Sequence, residues 1–147
     1  MAEILRSALT TWTGDLKNGS GITSAESGYL HDVRITWSAR FENHPGTNPE
    51  ELIAAAESSC YAMALASNLT RQNTPPELIN AKATLTMRRD ESGTKLTKLH
   101  LDVEARVPGI DEAAFLAIAG KVKDTCPVSA LLKPGLEELT VSAKLLG

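Results

Sequence analysis

The feature that most constrains the fold is a long stretch of small residues between positions 48 and 70. Asn48 suits a helix N-cap, Pro49 suits the first helical position, and Glu51 follows the cap by three residues, as in a capping box. Alanine and serine fill nearly every side of the predicted helix, and no Lys or Arg interrupts it. A helix that has small side chains on every face and is apolar overall is expected at the centre of a fold, where other elements pack closely against it.

Strand patterns lie on both sides of this helix. Before it, residues 7–13 are rich in strand-forming residues, residues 22–24 follow a turn, and residues 33–38 alternate apolar and polar side chains; together they predict an antiparallel meander. After it, residues 79–89 and 95–107 predict a hairpin with a loop of about four residues.

The remaining residues predict two more helices and a last strand. Asp111 is the expected cap of a helix that reaches about Lys123, with a short helix over residues 127–132 and a strand over 138–145. Strands, helix, strands, helices and strand follow one another in the order typical of an α+β fold. A chain of 147 residues fits one domain, predicted to cover residues 1–147.

Composition excludes several classes of function. The net charge is −3 and no basic run is present, which argues against nucleic-acid binding. No stretch of about 18 apolar residues exists that could span a membrane, and the first residues do not resemble a signal peptide. The predicted compartment is therefore the reducing cytoplasm, where a cysteine pair is more often catalytic or redox-active than structural.

Cys60 and Cys126 are the only two cysteines of the chain. The reactive species of a cysteine is the thiolate, which needs electrostatic help at neutral pH. Cys60 lies about twelve residues into the predicted helix, too deep for the helix dipole to act on it, and Arg40 is the nearest candidate cation in sequence. Cys126 precedes Pro127 at an N-cap position, where helix N–H groups favour a thiolate, so it suits a resolving partner.

Glu50 precedes Cys60 by ten residues. On one straight helix this separation is about 15 Å, so the two side chains cannot meet. If Glu50 belongs to the same site as Cys60, a second copy of the helix must run antiparallel to the first and bring it there. This hypothesis requires a site shared across a two-fold axis.

Simpler interpretations remain open for each of these residues. Cysteines on apolar helix faces are usually inert core residues, and Arg40 with Glu50 can be an ordinary solvated ion pair. No metal site is predicted, because the three histidines share no ligand spacing. They are His31, His44 and His100.

Several motifs together resemble the OsmC/Ohr family of thiol peroxidases, and the resemblance covers nearly the whole chain. The segments that carry it are Asn48-Pro49-Glu50-Glu51-Leu52, Cys60 before Met63-Ala64-Leu65, Val107-Pro108-Gly109-Ile110-Asp111 and Cys126-Pro127-Val128-Ser129. An arginine in the segment around Arg40, and none near residues 14–17, matches the OsmC branch of the family better than the Ohr branch.

The resemblance implies a fold and a site. The fold is an intertwined homodimer of OsmC-like domains, in which antiparallel sheets wrap two long central helices and the sites lie at the interface. Cys60 is then the peroxidatic cysteine and Cys126 the resolving one. Glu50 is the active-site glutamate, which orients Arg40, and Arg40 holds Cys60 as a thiolate and places the peroxide.

The resemblance also implies a reaction. Organic hydroperoxides are reduced to alcohols, and hydrogen peroxide more weakly to water, through a Cys60 sulfenic acid and a Cys60–Cys126 disulfide. An external dithiol, of lipoyl type, restores the thiols, and no metal or organic cofactor is required. The expected role is defence against oxidative stress.

One residue departs from this interpretation. Glu57 stands one helical turn before Cys60, where a negative charge opposes thiolate formation. Glu57 either points elsewhere or pairs with a cation. Two rival functions also stay open: a non-catalytic dimer that binds a lipid or another small ligand, and a cysteine-dependent acyl hydrolase, which is disfavoured because no histidine is placed in sequence as its base.

Overall fold

Six strands and four α-helices make up the chain, which the computed structural model describes from Met1 to Gly147. The strands are β1 (Ala8–Thr13), β2 (Ser20–Ala25), β3 (Val33–Ile35), β4 (Leu78–Asp90), β5 (Gly93–Arg106) and β6 (Glu138–Leu145). The helices are α1 (Trp37–Phe41), α2 (Pro49–Arg71), α3 (Glu112–Thr125) and α4 (Pro127–Leu132), the last followed by a 3₁₀ turn, Lys133–Gly135. The chain forms two compact units, Met1–Leu52 and Ile53–Gly147.

The first unit contains a three-stranded antiparallel sheet in the order β1, β2, β3, which confirms the predicted meander. The predicted strand over residues 33–38 is wrong in its second half, because β3 ends at Ile35 and α1 begins at Trp37. Thr36 is the reason for the change. Its side-chain oxygen accepts a hydrogen bond from the Ala39 N–H at 3.1 Å and so caps α1.

The long helix begins as predicted and ends one residue beyond the expected range. Asn48 caps it, since its side-chain oxygen accepts a hydrogen bond from the Glu51 N–H at 2.8 Å. In a complete capping box the Glu51 carboxylate would accept a hydrogen bond from the backbone N–H of Asn48. Here the carboxylate accepts one from the Thr47 hydroxyl instead, at 2.6 Å. The helix ends at Arg71.

Only one face of α2 is buried within the chain. Side chains four residues apart form the buried stripe, namely Glu57, Tyr61, Leu65 and Leu69. The small residues of the opposite face are exposed together with Met63, which is 74% exposed. Within the second unit, therefore, other elements pack against the face of α2 that carries Glu57, Tyr61, Leu65 and Leu69.

The second unit contains the sheet β4-β5-β6. Strands β4 and β5 form the predicted hairpin, but Asp90 pairs with Gly93, so the loop has two residues and not four. The prediction of purely antiparallel sheets is wrong here, because β6 pairs with β5 in parallel. A parallel pair requires a crossover connection, and the helices α3 and α4 provide it.

The core lies between this sheet and the helices of the second unit. Asp111 caps α3 as predicted, accepting a hydrogen bond from the Ala114 N–H at 2.9 Å. The Tyr61 hydroxyl donates to the carbonyl of Ala119 at 2.7 Å and so joins α2 to α3 inside the core. No helix combines the length and the apolarity that a bilayer crossing requires.

Candidate active site

The two cysteines meet in the second unit, although 66 residues separate them in sequence. The Cys126 thiol donates to the sulfur of Cys60, with 3.0 Å between the two Sγ atoms. Both are free thiols; Cys126 is completely buried and Cys60 is half-buried. A disulfide has an S–S distance of about 2.0 Å, so bond formation requires the sulfurs to approach by about 1 Å.

Two helices hold Cys126 at this position. Its N–H donates to the Val122 carbonyl at 2.8 Å at the end of α3, and its carbonyl accepts from the Ala130 N–H at 2.9 Å at the start of α4. Pro127 occupies the first position of α4, where its missing N–H costs nothing. Cys126 is therefore the residue at which the chain changes from one helix to the next.

The surroundings of Cys60 within its own chain disfavour the thiolate. Burial raises the pKa of the Cys60 thiol above its ordinary value, and the adjacent Cys126 thiol raises it further. The backbone N–H of Val128, in the first turn of α4, acts in the opposite direction by donating to the Cys60 sulfur. The sulfur therefore needs a cation that the second unit does not bring to it.

Glu57 neither points away from the site nor pairs with a cation. Its side chain is completely buried, its Oε1 accepts a hydrogen bond from the Ser129 hydroxyl, and its Oε2 has no hydrogen-bond partner. Burial raises the pKa of the Glu57 carboxyl, and the hydrogen bond from Ser129 lowers it by less. Because the carboxyl keeps its proton to a higher pH than an exposed glutamate does, its like-charge opposition to a Cys60 thiolate is weakened.

Arg40 and Glu50 form a close ion pair in the first unit. The Arg40 Nε lies 3.1 and 3.2 Å from the two carboxylate oxygens of Glu50, and Nη2 lies 2.6 Å from Oε1. The Arg40 side chain is 35% exposed and that of Glu50 only 11%. Such a fork-shaped, charge-assisted contact fixes the orientation of the guanidinium group.

A tight loop between α1 and α2 allows this ion pair to form. The Asn48 side-chain amide donates to the Ala39 carbonyl at 3.4 Å. Gly46 has a φ of +131°, and a Cβ at this residue would lie 3.2 Å from the Cβ of Ala39. A side chain at position 46 would therefore strain the loop that presents Arg40 to Glu50.

The four predicted site residues thus form two pairs. Cys60 contacts Cys126, and Arg40 contacts Glu50. Within one α2 helix, Glu50 and Cys60 remain ten residues apart, which is about 15 Å along the axis. A second thiol at hydrogen-bond distance is not something that an inert core cysteine requires, whereas the contact of Arg40 with Glu50 is also what an ordinary ion pair would show.

Two contacts at the site were not predicted from the sequence. The contact of the Val128 N–H could have been predicted from the sequence, because the first N–H groups of a helix that starts after Cys126 have no partner within that helix. Ser129 had none, since its partner Glu57 lies 72 residues earlier in the chain. No group of three or more His, Cys, Asp or Glu side chains is arranged to hold a metal ion.

Known proteins resemble this chain in sequence. A family model described as OsmC-like protein matches residues 41–138. The chain is 41% identical over 134 residues to Peroxiredoxin OsmC of Escherichia coli K12. This alignment covers 91% of this chain and 92% of that protein. Peroxiredoxin OsmC of Shigella flexneri matches with the same identity and coverage.

Solved structures resemble it in fold. The organic hydroperoxide resistance protein OhrB of Bacillus subtilis aligns with a TM-score of 0.69 at 22% identity and covers 94% of this chain and 98% of its own. An OsmC-like protein from Mycoplasma pneumoniae aligns with a TM-score of 0.76 at 12% identity, covering 99% and 100%. These likenesses confirm the predicted α+β fold of the OsmC/Ohr type. The family model, the sequence identity over most of the chain and the fold all agree. The chain therefore belongs to the OsmC-like protein family.

Proposed function

We propose that this protein is a thiol-dependent peroxidase that reduces organic hydroperoxides to alcohols, and hydrogen peroxide more weakly to water, with Cys60 as the peroxidatic cysteine and Cys126 as the resolving cysteine. The predicted enzyme class, a peroxidase, is confirmed by the 41% identity to Peroxiredoxin OsmC, as are the terms antioxidant and stress response. The observation that carries the residue assignment is the 3.0 Å contact between the Sγ atoms of Cys60 and Cys126.

The proposed reaction has two steps on the protein. The Cys60 thiolate attacks one oxygen of the peroxide, the O–O bond breaks, and the leaving alkoxide takes a proton to become an alcohol while the sulfur becomes a sulfenic acid. Cys126 then attacks the oxidised sulfur of Cys60 and forms a disulfide with release of water. An external dithiol, proposed to be of lipoyl type, reduces the disulfide by thiol–disulfide exchange. No resident metal or organic cofactor takes part in these steps.

The cation for Cys60 is proposed to come from the ion pair of Arg40 and Glu50. Within one chain the pKa of Cys60 is raised, so a positive charge beside its sulfur is needed for reaction at neutral pH. Because α2 keeps Glu50 about 15 Å from its own Cys60, the pair that acts on a given Cys60 is proposed to come from a second copy of the chain.

This requirement leads to a dimer. We propose a homodimer of single OsmC-like domains, residues 1–147, in which two α2 helices pack antiparallel at the centre and the sheets wrap around them. The exposed face of α2 supports this arrangement, since it is built of small residues such as Ala55 and Ser59 that permit close approach of two helices. A reducing compartment, proposed to be the cytoplasm, would keep both thiols free between turnovers.

Mass spectrometry after addition of one equivalent of cumene hydroperoxide tests the function. We expect the protein to lose two hydrogen atoms and a peptide map to link Cys60 to Cys126. A protein that stays unmodified while it binds lipid or another small ligand would indicate the non-catalytic alternative. A thioester on Cys60 after incubation with an activated acyl ester would indicate the acyl hydrolase.

Arg40→Ala tests the source of the cation. We expect the second-order rate of peroxide reduction at neutral pH to fall by about tenfold to a hundredfold, because a nearby positive charge shifts a thiol pKa by about 1–2 units. The measurement is stopped-flow consumption of cumene hydroperoxide. Arg34→Ala is the matched control, since Arg34 lies in β3 of the same unit; an equal loss in both variants would point to a general charge effect and away from Arg40.

Mixing an impaired variant, Arg40→Ala, with an inactive one, Cys60→Ser, tests whether the site is shared. In a mixed dimer of Arg40→Ala and Cys60→Ser chains, one site receives an intact Cys60 from one chain and an intact Arg40 from the other. We expect the mixture to regain a substantial part of the wild-type activity after subunit exchange. If Arg40 acts on the Cys60 of its own chain, the mixture is no more active than its components.

A further inference from the structure

A buried hydrogen bond joins the two helices that carry the cysteines. Glu57 lies in α2, three residues before Cys60, and Ser129 lies in α4, three residues after Cys126. Both Glu57 and Ser129 are completely buried, and the Ser129 hydroxyl donates to the Glu57 carboxyl. The established family assignment and the proposed reaction leave this pair without a role.

The spacing places this hydrogen bond beside the pair of thiols. Residues three apart on a helix lie on the same side of it, so Glu57 and Cys60 present their side chains to the same neighbour, α4. The Val128 N–H, one residue before Ser129, donates to the Cys60 sulfur. Three contacts therefore connect α2 to the start of α4: the thiol pair, the contact of Val128 with Cys60, and the hydrogen bond of Glu57 with Ser129.

Stability alone does not explain a carboxyl at this position. Burial of a carboxyl costs free energy unless its oxygens are hydrogen-bonded, and Glu57 Oε2 has no partner. In some proteins a buried polar pair fixes one geometry while adding little net stability, and we apply that interpretation to this pair. The geometry that this pair fixes is the position of α4, and with it Cys126, against the Cys60 sulfur.

We propose that Glu57 is a positioning residue for the resolving step, which it serves by holding Ser129 and so keeping the sulfur of Cys126 against that of Cys60. The inference rests on the proposed peroxidase function. In the step concerned, the Cys126 sulfur attacks the Cys60 sulfenic acid, the S–O bond of Cys60 breaks and the S–S bond forms. Cys60 is reduced and Cys126 oxidised, and the thiol proton leaves with the hydroxyl group as water.

The proposal separates two rates. Attack of Cys60 on the peroxide does not involve Cys126, so its rate should change by less than about threefold when the hydrogen bond is lost. Disulfide formation depends on the placement of two sulfur atoms, and a misplacement of about 1 Å can slow a reaction by about a hundredfold. We therefore expect Glu57→Ala and Ser129→Ala to slow disulfide formation by about tenfold to a hundredfold.

The experiment follows both rates in a single turnover with cumene hydroperoxide and the full-length protein. Peroxide loss reports the first step; acid quench, alkylation of free thiols and mass spectrometry report disulfide formation, and dimedone traps the sulfenic acid that accumulates between them. Glu57→Gln keeps an oxygen that accepts from Ser129 and is expected to restore the wild-type rate. Tyr61→Phe is the matched control, because it removes the buried hydrogen bond between α2 and Ala119 of α3 and leaves α4 untouched.

Each outcome decides one question. Slow disulfide formation in the Ala variants, with rescue by Glu57→Gln and no change in Tyr61→Phe, supports the proposal. Wild-type disulfide formation in Ser129→Ala overturns it even if Glu57→Ala does not fold. A Gln variant as slow as the Ala variant overturns positioning through this hydrogen bond. Wild-type protein that forms no disulfide with peroxide overturns the proposed function itself, and this inference with it.

Discussion

Cys60→Ser is expected to lower kcat/KM for cumene hydroperoxide by at least about a thousandfold, because a serine hydroxyl cannot replace a thiolate in an attack on the O–O bond. The change removes one sulfur and adds an oxygen of similar size on a half-buried helix face, so the fold should be retained. Steady-state peroxide consumption with dithiol as reductant measures the loss.

A folding check and a control variant show whether the loss of activity is specific to Cys60. Circular dichroism and the thermal midpoint serve as the check on folding. Ser59→Ala serves as the matched control: it keeps a small residue on the α2 face proposed for the dimer and should therefore keep wild-type activity. Turnover that survives in folded Cys60→Ser protein would mean that Cys60 is not the peroxidatic residue. The acyl hydrolase and the binding protein would then be the remaining interpretations.

Cys126→Ser is expected to keep the first turnover and to lose the second. The first-turnover rate should stay within about threefold of wild type, since Cys126 does not attack the peroxide. Cys60 should then accumulate as sulfenic acid, which dimedone traps, and with excess peroxide as the irreversible sulfinic acid. Mass spectrometry of the peptide that contains Cys60 distinguishes these products.

The peroxide consumption of Cys126→Ser is expected to depend on whether an external thiol is present. Without an external thiol, the variant should consume about one equivalent of peroxide per Cys60 to form the sulfenic acid, and about one more with excess peroxide to form the sulfinic acid, and then stop. Turnover at the wild-type rate with the dithiol as reductant would rule out Cys126 as the resolving residue. A small external thiol is expected to restore slow turnover, since it can attack the exposed side of the half-buried Cys60 sulfur.

Local structure followed closely from the sequence. Asn48 and Asp111 cap their helices as predicted, since an N-cap is an interaction between residues three apart and leaves a short-range pattern. The start of α1 was missed because residues 33–38 alternate in a manner that also suits a strand. Thr36 ends that strand by capping a helix of only five residues, too short to leave a periodic pattern of its own.

The direction of β6 could not be predicted from local sequence patterns. Alternation predicts a strand over residues 138–145 equally well whether it pairs in parallel or antiparallel, because the side-chain period is two in both cases. Only the path of α3 and α4 across the sheet determines that β6 lies parallel to β5. The number of loop residues in the β4–β5 hairpin similarly depends on the register of pairing.

The sequence by itself determined the two thiols, the helix that carries Cys60, the helix start that follows Cys126, and the resemblance to the OsmC/Ohr family. These features are local, since capping, periodicity and motif spacing act over a few residues. Only the tertiary structure decided that Cys60 and Cys126 meet, that Arg40 binds Glu50, and that Glu57 is buried against Ser129. Contacts across 66 and 72 residues depend on how helices pack, and packing depends on the whole buried surface and not on any short segment.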